Sequence, residues 1–103
     1  MGAAGIAAVR GAVGSDADLV AATRAGDESA FSELYRRYHP MIVGYVRRLV
    51  RDHGRAEDVA QEAFVSALRR LRQTETEINF KPWIYEIARN ASIDLYRRKS
   101  RAE

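Results

Sequence analysis

Apolar residues recur at steps of three and four through most of this chain, and that rhythm predicts helices with one buried face. The longest run is Phe31, Leu34, Tyr35, Tyr38, Ile42, Tyr45, Val46, Leu49 and Val50. Pro40 sits inside it. Proline removes a backbone donor and disfavours helix at the residue before it, so a kink or break is expected there. Arg51-Asp-His-Gly54 is expected to close the run, with Gly54 as its left-handed C-cap residue. A short helix precedes it. Ser15-Asp-Ala-Asp offers N-cap oxygens and early negative charge, Leu19, Val20 and Thr23 share one side, Gly26 ends it, and Asp27 caps the next. A third helix places Ala60, Ala63, Phe64, Ala67, Leu68 and Leu71 on one face. Glu57, Asp58, Gln61 and Glu62 crowd its first turns and Arg69, Arg70 and Arg72 its last, which suits the helix dipole at both ends. Gln73-Thr-Glu-Thr-Glu-Ile-Asn79 breaks the period and reads as a loop. Pro82 then takes a first-turn position, and Phe80, Ile84, Ile87, Ala88, Ala91 and Leu95 form the last stripe. No alternating β-branched run and no internal repeat interrupts this pattern. The expected fold is all-α, a compact bundle of three to four main helices.

Length and composition narrow the class. With 103 residues, 47% hydrophobic and 30% charged, the chain is a single globular domain with a modest core. The net charge of +3 is mild, but its placement is not. Lys81, Arg89, Arg97, Arg98, Lys99 and Arg101 face only Glu86, Asp94 and Glu103 in the last stretch, so the whole excess can be assigned there. The absence of cysteine excludes disulfides and thiolate metal sites and fits a cytoplasmic setting. His39 and His53 lack metal-ligand spacing, so no metal is expected. No apolar run reaches the roughly 20 residues of a membrane span. The first residues lack a basic n-region, and residues 1–14 are expected to be a flexible lead-in. No Ser–His, Cys–His or paired-carboxylate spacing and no Gly-rich phosphate loop occurs, so neither catalysis nor a cofactor is expected.

Two surfaces carry candidate chemistry. Asp58, Gln61 and Glu62 lie at i, i+3 and i+4 and share a face. They are either a solvated, dipole-matched turn or a patch for a basic partner. On the last helix Asn90, Asp94 and Arg97 fall at i, i+4 and i+7, flanked by Arg89, Arg98, Lys99 and Arg101. Asn and Arg read base edges, while Lys and Arg neutralise phosphate. The plain alternative is a basic C-terminus that suits the dipole. Trp83 falls beside the buried stripe and is assigned to the core, whereas Tyr85 points to the polar side and is the better candidate to stack on an unpaired base. Thr74, Glu75, Thr76 and Asn79 bring polar groups able to hold an extruded base to the loop, which otherwise is an ordinary connector.

Three blocks in order resemble region 2 of bacterial sigma factors, in particular the extracytoplasmic-function group of the sigma-70 superfamily, across about residues 16–101. The opening, Asp18-Leu19-Val20 through Gly26-Asp27, Ala30-Phe31, Leu34-Tyr35 and Tyr38, is similar to that family's start. Ala56-Glu57-Asp58-Val59-Ala60-Gln61-Glu62-Ala63-Phe64 resembles its region 2.2. Phe80-Lys81-Pro82-Trp83-Ile84-Tyr85, Ile87-Ala88-Arg89-Asn90, Ile93-Asp94 and Arg97-Arg98 resemble its regions 2.3 to 2.4. The resemblance implies a transcription initiation factor domain that docks on the β′ clamp helices of RNA polymerase and recognises and melts the promoter −10 element. Asp58, Gln61, Glu62 and Phe64 match the clamp-binding surface. Residues 73–79 match the loop that captures a base flipped from the non-template strand, and Tyr85, Arg89, Asn90, Asp94, Arg97 and Arg98 fall on the helix that contacts −10 DNA. A complete member carries a second helical domain, region 4. This chain stops at Glu103, where the interdomain linker would begin, so the expectation is region 2 at 15–101, the start of the linker at 102–103 and no region 4. An anti-sigma factor is a further partner that the family implies. Two alternatives stay open: a free-standing helical module that reads duplex DNA, and a helical adaptor that binds only protein.

Overall fold

The computed structural model describes the backbone of residues 14–102 and, except at His53 and 99–102, their side chains. The expected lead-in, apart from Gly14, and Glu103 lie outside the described residues. Four helices and no strand occur among the described residues: α1 (Asp16–Arg24), α2 (Glu28–Leu49), α3 (His53–Gln73) and α4 (Phe80–Ala102). The expected all-α class holds.

Local chemistry sets most of the boundaries. Ser15 starts α1 through a reciprocal pair, its Oγ accepting from the Asp18 N–H at 3.1 Å and its own N–H donating to Asp18 Oδ2 at 3.3 Å. Gly26, at φ 104°, turns the chain out of α1. Its N–H donates to the Thr23 carbonyl, and the Asp27 N–H reaches back to the Ala22 carbonyl, both at 3.0 Å. Those bonds supply partners to carbonyls of the last turn, where Ala22 also accepts from the Ala25 N–H at 3.1 Å. Asp27 then caps α2, its Oδ1 accepting from the N–H groups of Ser29 at 2.9 Å and Ala30 at 3.3 Å. The hydroxyl of Ser29 also donates to this carboxylate and holds its pKa below the ordinary value.

Three sequence expectations need correction. First, α2 runs unbroken through Pro40. The proline leaves the Arg36 carbonyl without its helical donor. Both residues lie on the exposed face, where water can take that carbonyl, while buried Leu34, Tyr38, Ile42 and Val43 hold both halves of the helix on the core. Second, Gly54 does not end α2. The helix stops at Val50 in extended conformation (φ −112°, ψ 138°), and Asp52 caps α3 by accepting from Gly54 and Arg55. Gly54 therefore stands in the first turn of α3. Third, that early start pushes Glu57 and Asp58 past the first turn, which holds no acid. The dipole falls off within a turn, so it explains the acidic face poorly.

The core is continuous through all four helices. Phe31, Leu34, Tyr38, Ile42 and Val46 of α2 meet Ala60, Phe64, Ala67 and Leu71 of α3 and Phe80, Ile84, Ile87 and Ala88 of α4, with Leu19 and Val20 of α1 closing one end. Phe64 is the aromatic centre, its ring 4.9 Å from Tyr35 and 6.4 Å from Phe31, both edge to face. Two buried hydroxyls, Thr23 and Ser92, donate to carbonyls one turn back, Leu19 at 2.8 Å and Ala88 at 2.9 Å, so neither is left unsatisfied.

A polar cluster fastens α1 to α2. The Arg37 guanidinium meets Asp16 at 3.0 Å, Glu33 at 3.1 Å and the Gly14 carbonyl at 2.7 Å. Burial opposes the charge on Arg37, but Glu33 and Asp16 outweigh it and raise its pKa. The Tyr38 phenol donates to the other oxygen of Asp16. Burial, then this bond, push the phenol up to about 12.

Candidate nucleic-acid interface and protein-docking face

The outer side of α4 is free of the rest of the protein. Asn90, Asp94 and Arg97 are exposed, and none of their side chains makes a hydrogen bond or ion pair among the described residues. Arg89 and Arg98 are exposed as well, while the side chains of Lys99 and Arg101 lie outside the description. A helix surface that leaves an amide, a carboxylate and several guanidiniums unpaired has its donors and acceptors ready for base edges and phosphates.

The aromatic residues sort differently from the sequence expectation. Tyr85 is half-buried, its ring packed edge to face on Tyr45 of α2 at 5.0 Å. At 100° per residue it stands about 140° around the helix from Asn90, so it does not share the Asn90 stripe. Trp83 falls about 20° from Asn90 by the same arithmetic and is also half-buried, 6.0 Å from Phe80. Tyr96 is exposed, but its hydroxyl is committed to the Leu49 carbonyl at 2.8 Å.

The loop between α3 and α4 spans 74–79, and all four of its predicted residues are exposed. It is held from outside by a residue that sequence reasoning missed. Arg24 of α1 donates through Nε to the Leu71 carbonyl at 3.2 Å and through Nη2 to the Thr76 carbonyl at 2.6 Å. A cleft of about 580 Å3 opens between α1 and the loop, within the range of small-ligand pockets. Thr74, Glu75 and Ile78 line one wall, and Val20, Ala21 and Arg24 the other. Thr76 and Asn79 are not among its lining residues. Thr76 contributes the carbonyl that Arg24 grips, and the Asn79 carbonyl accepts the first N–H of α4 to find a partner there, from Trp83 at 3.2 Å. Thr74 also closes α3, its hydroxyl donating to Arg70 at 3.1 Å.

On α3, Asp58, Gln61 and Glu62 are exposed and share a face. Phe64 does not belong to it: only 2% exposed, it faces the core, where its own apolar period places it. The apolar member of the exposed face is Val65, 57% exposed and seven residues after Asp58. That spacing was present in the sequence and could have found it. Arg24 has no comparable local signal, because its partners lie 47 and 52 positions away.

These features define a class: a helical binding module with one acidic face carrying an exposed valine, one unpaired Asn/Asp/Arg face on α4, and a cleft between α1 and the α3–α4 loop. The chain belongs to the Sigma-70 region 2 family, whose model matches residues 34–102. Among its relatives, RNA polymerase sigma factor CarQ of Myxococcus xanthus is 38% identical over 74 residues, 72% of this chain and 42% of CarQ. RNA polymerase sigma-H factor of Pseudomonas aeruginosa is 40% identical over 75% of this chain and 40% of the factor. ECF RNA polymerase sigma factor SigM of Mycobacterium tuberculosis is 37% identical over 82% of this chain and 43% of SigM. The chain therefore spans about two fifths of the length of these curated relatives. Among solved structures, an engineered region 2 of sigmaE in complex with GTAAAA matches with a TM-score of 0.77 and 34% identity, covering 85% of this chain and 92% of that one.

Proposed function

We propose that this chain recognises and opens the promoter −10 element as the region 2 of an extracytoplasmic-function sigma factor bound to RNA polymerase. The observation that carries this reading is the Asn90–Asp94–Arg97 stripe, exposed and unpaired among the described residues. It lies on the last helix of a fold whose solved relative was captured with GTAAAA. Asn90 and Arg97 contact bases or phosphates of the non-template strand, Asp94 orients Arg97 or accepts from a cytosine amine, and Arg98 neutralises phosphate. The cleft beside Thr74 and Glu75 receives a base leaving the duplex. Unstacking a base takes a few kcal/mol, and contacts made only to the extruded base offset it, so strand opening and sequence reading become one event. Asp58, Gln61, Glu62 and Val65 meet the β′ clamp helices. The chain performs no chemistry in this step; it binds. In the intact factor an anti-sigma protein competes for these surfaces.

The test is binding of this chain to labelled single-stranded GTAAAA and to the matching duplex, with and without a β′ clamp-helix fragment. Preference for the single strand, strengthened by the fragment, is expected. Preference for duplex, indifferent to the fragment, overturns the reading in favour of a free-standing duplex-binding module. Absence of DNA binding beside retained fragment binding overturns it in favour of a protein adaptor.

A further inference from the structure

The positive charge of this molecule is not confined to α4. Arg47 and Arg48 close α2, Arg51 stands in the turn after it, and Arg55 follows in α3. All four are exposed. Asp52 is the one acid in this segment, and its Oδ1 is committed to capping α3. Arg47, Arg48 and Arg51 have no carboxylate within 4.0 Å among the described residues, and Arg55 has only Asp52, at a loose 3.8 Å.

Helix electrostatics account for half of this cluster. Arg47 and Arg48 suit the negative end of α2. Arg51 lies past that end, and Arg55 lies in the first turn of α3, where a cation opposes the dipole. A charge placed against its local preference marks a position kept for another reason.

The cluster is joined to the basic end of α4. The Tyr96 hydroxyl donates to the Leu49 carbonyl at 2.8 Å, and Leu95 and Tyr96 share a small pocket with Val50, Arg51, Asp52 and Arg55. Arg97 and Arg98 continue directly from that strut. Six exposed guanidiniums thus gather at the end of the molecule remote from the loop cleft. Duplex DNA presents one phosphate charge per roughly 1.7 Å of its axis and is the ligand whose charge density matches.

Resting on the −10 reading above, we infer that the α2–α3 turn, through Arg48, Arg51 and Arg55, is a second phosphate-binding surface that grips the double-stranded DNA adjoining the opened segment. Tyr96 acts as a positioning residue, holding this surface in line with α4. The turn adds affinity and salt dependence without reading sequence.

The experiment compares the 103-residue chain with the variant Arg48→Ala/Arg51→Ala/Arg55→Ala on two probes. One is single-stranded GTAAAA. The other is the same segment joined to a duplex arm, prepared with the arm on either side. The unaltered chain is expected to bind one armed probe about tenfold or more tighter than the bare strand. Its log–log salt slope should steepen by about 0.9 for each phosphate engaged. The variant should lose that gain and the extra slope while binding the bare strand within about twofold, and its thermal stability should change little, because losing Arg48 from the negative end of α2 and removing Arg55 from the positive end of α3 act in opposite directions. A variant that keeps the arm-dependent gain overturns the inference, as does one that weakens bare-strand binding equally. Loss of affinity for the β′ clamp-helix fragment with the arm gain intact assigns the arginines to an acidic protein and overturns it too. Failure of the unaltered chain to bind bare GTAAAA rejects the −10 reading instead, and the arm-dependent gain is then still read from the armed probes.

Discussion

The Arg24 guanidinium of α1 donates to the Thr76 carbonyl at 2.6 Å, so the loop ahead of α4 is fixed by a helix 52 positions earlier in the chain. The same side chain holds Leu71 at the last turn of α3. Arg24→Ala should therefore loosen the loop without disturbing the core. A hydrogen bond from a charged donor at such an accessible site contributes about 1 kcal/mol. The expected fall in Tm is about 4–8 °C for a domain of this size. Hydrogen exchange should quicken across 74–79, and affinity for GTAAAA should fall severalfold. Exchange unchanged in the loop would show that Arg24 is not its anchor.

Asn90→Ala and Arg97→Ala should each weaken strand binding with the fold intact. A bidentate base contact is worth about 1–3 kcal/mol, which corresponds to roughly 5–150-fold in affinity. Both side chains are exposed, so denaturant midpoints should correspond to changes within about 0.5 kcal/mol. Anisotropy titrations and circular-dichroism melts check the two halves of this prediction separately.

The α3 face should behave in the opposite manner. Gln61→Ala with Glu62→Ala is expected to reduce affinity for a β′ clamp-helix fragment while leaving strand affinity unchanged. Val65→Asp should reduce it further, because Val65 is the exposed apolar residue of that face and the substitution puts a charge where binding would bury an apolar contact. Clamp binding indifferent to all three substitutions would remove this face from the interface.

Tyr38 predicts an alkaline limit to stability. Its phenol, held by burial and by Asp16, titrates near 12 against an ordinary value of 10.0. The folded state thus favours the protonated form. The stabilisation is complete below pH 10, and it declines as pH rises and is lost through about 12. Denaturant midpoints measured across that window should fall more steeply for the unaltered chain than for Tyr38→Phe, which has no phenol to titrate. Equal slopes would show that Tyr38 does not couple to folding.

Apolar period made the interior of this fold legible, because a buried face is a local property repeated along one helix. Phe64 shows the strength of that signal: its period puts it in the core, and only a matched motif placed it on the surface. Capping was legible where side chain and backbone are neighbours, as at Ser15 and Asp27, and Gly54 misled because glycine favours the position just past a helix end, whereas the Asp52 cap two residues earlier draws it into the first turn of α3. Pro40 misled for a related reason, since its solvent-facing position is set by what α2 packs against. The Asn90–Asp94–Arg97 stripe could be read, whereas the partners of Arg24, Tyr85 and Tyr96 could not. Those pairings join helices whose mutual placement no local pattern encodes.

Because the side chains of Asn90, Asp94 and Arg97 are exposed and make no hydrogen bond or ion pair among the described residues, the recognition proposed for them is separable from what keeps the domain folded. Substitutions at Asn90, Asp94 or Arg97 draw little on the small stability of a four-helix domain. On the proposed reading, exchanges at these three positions alter the DNA sequence preferred while Phe31, Phe64 and Phe80 keep the core intact.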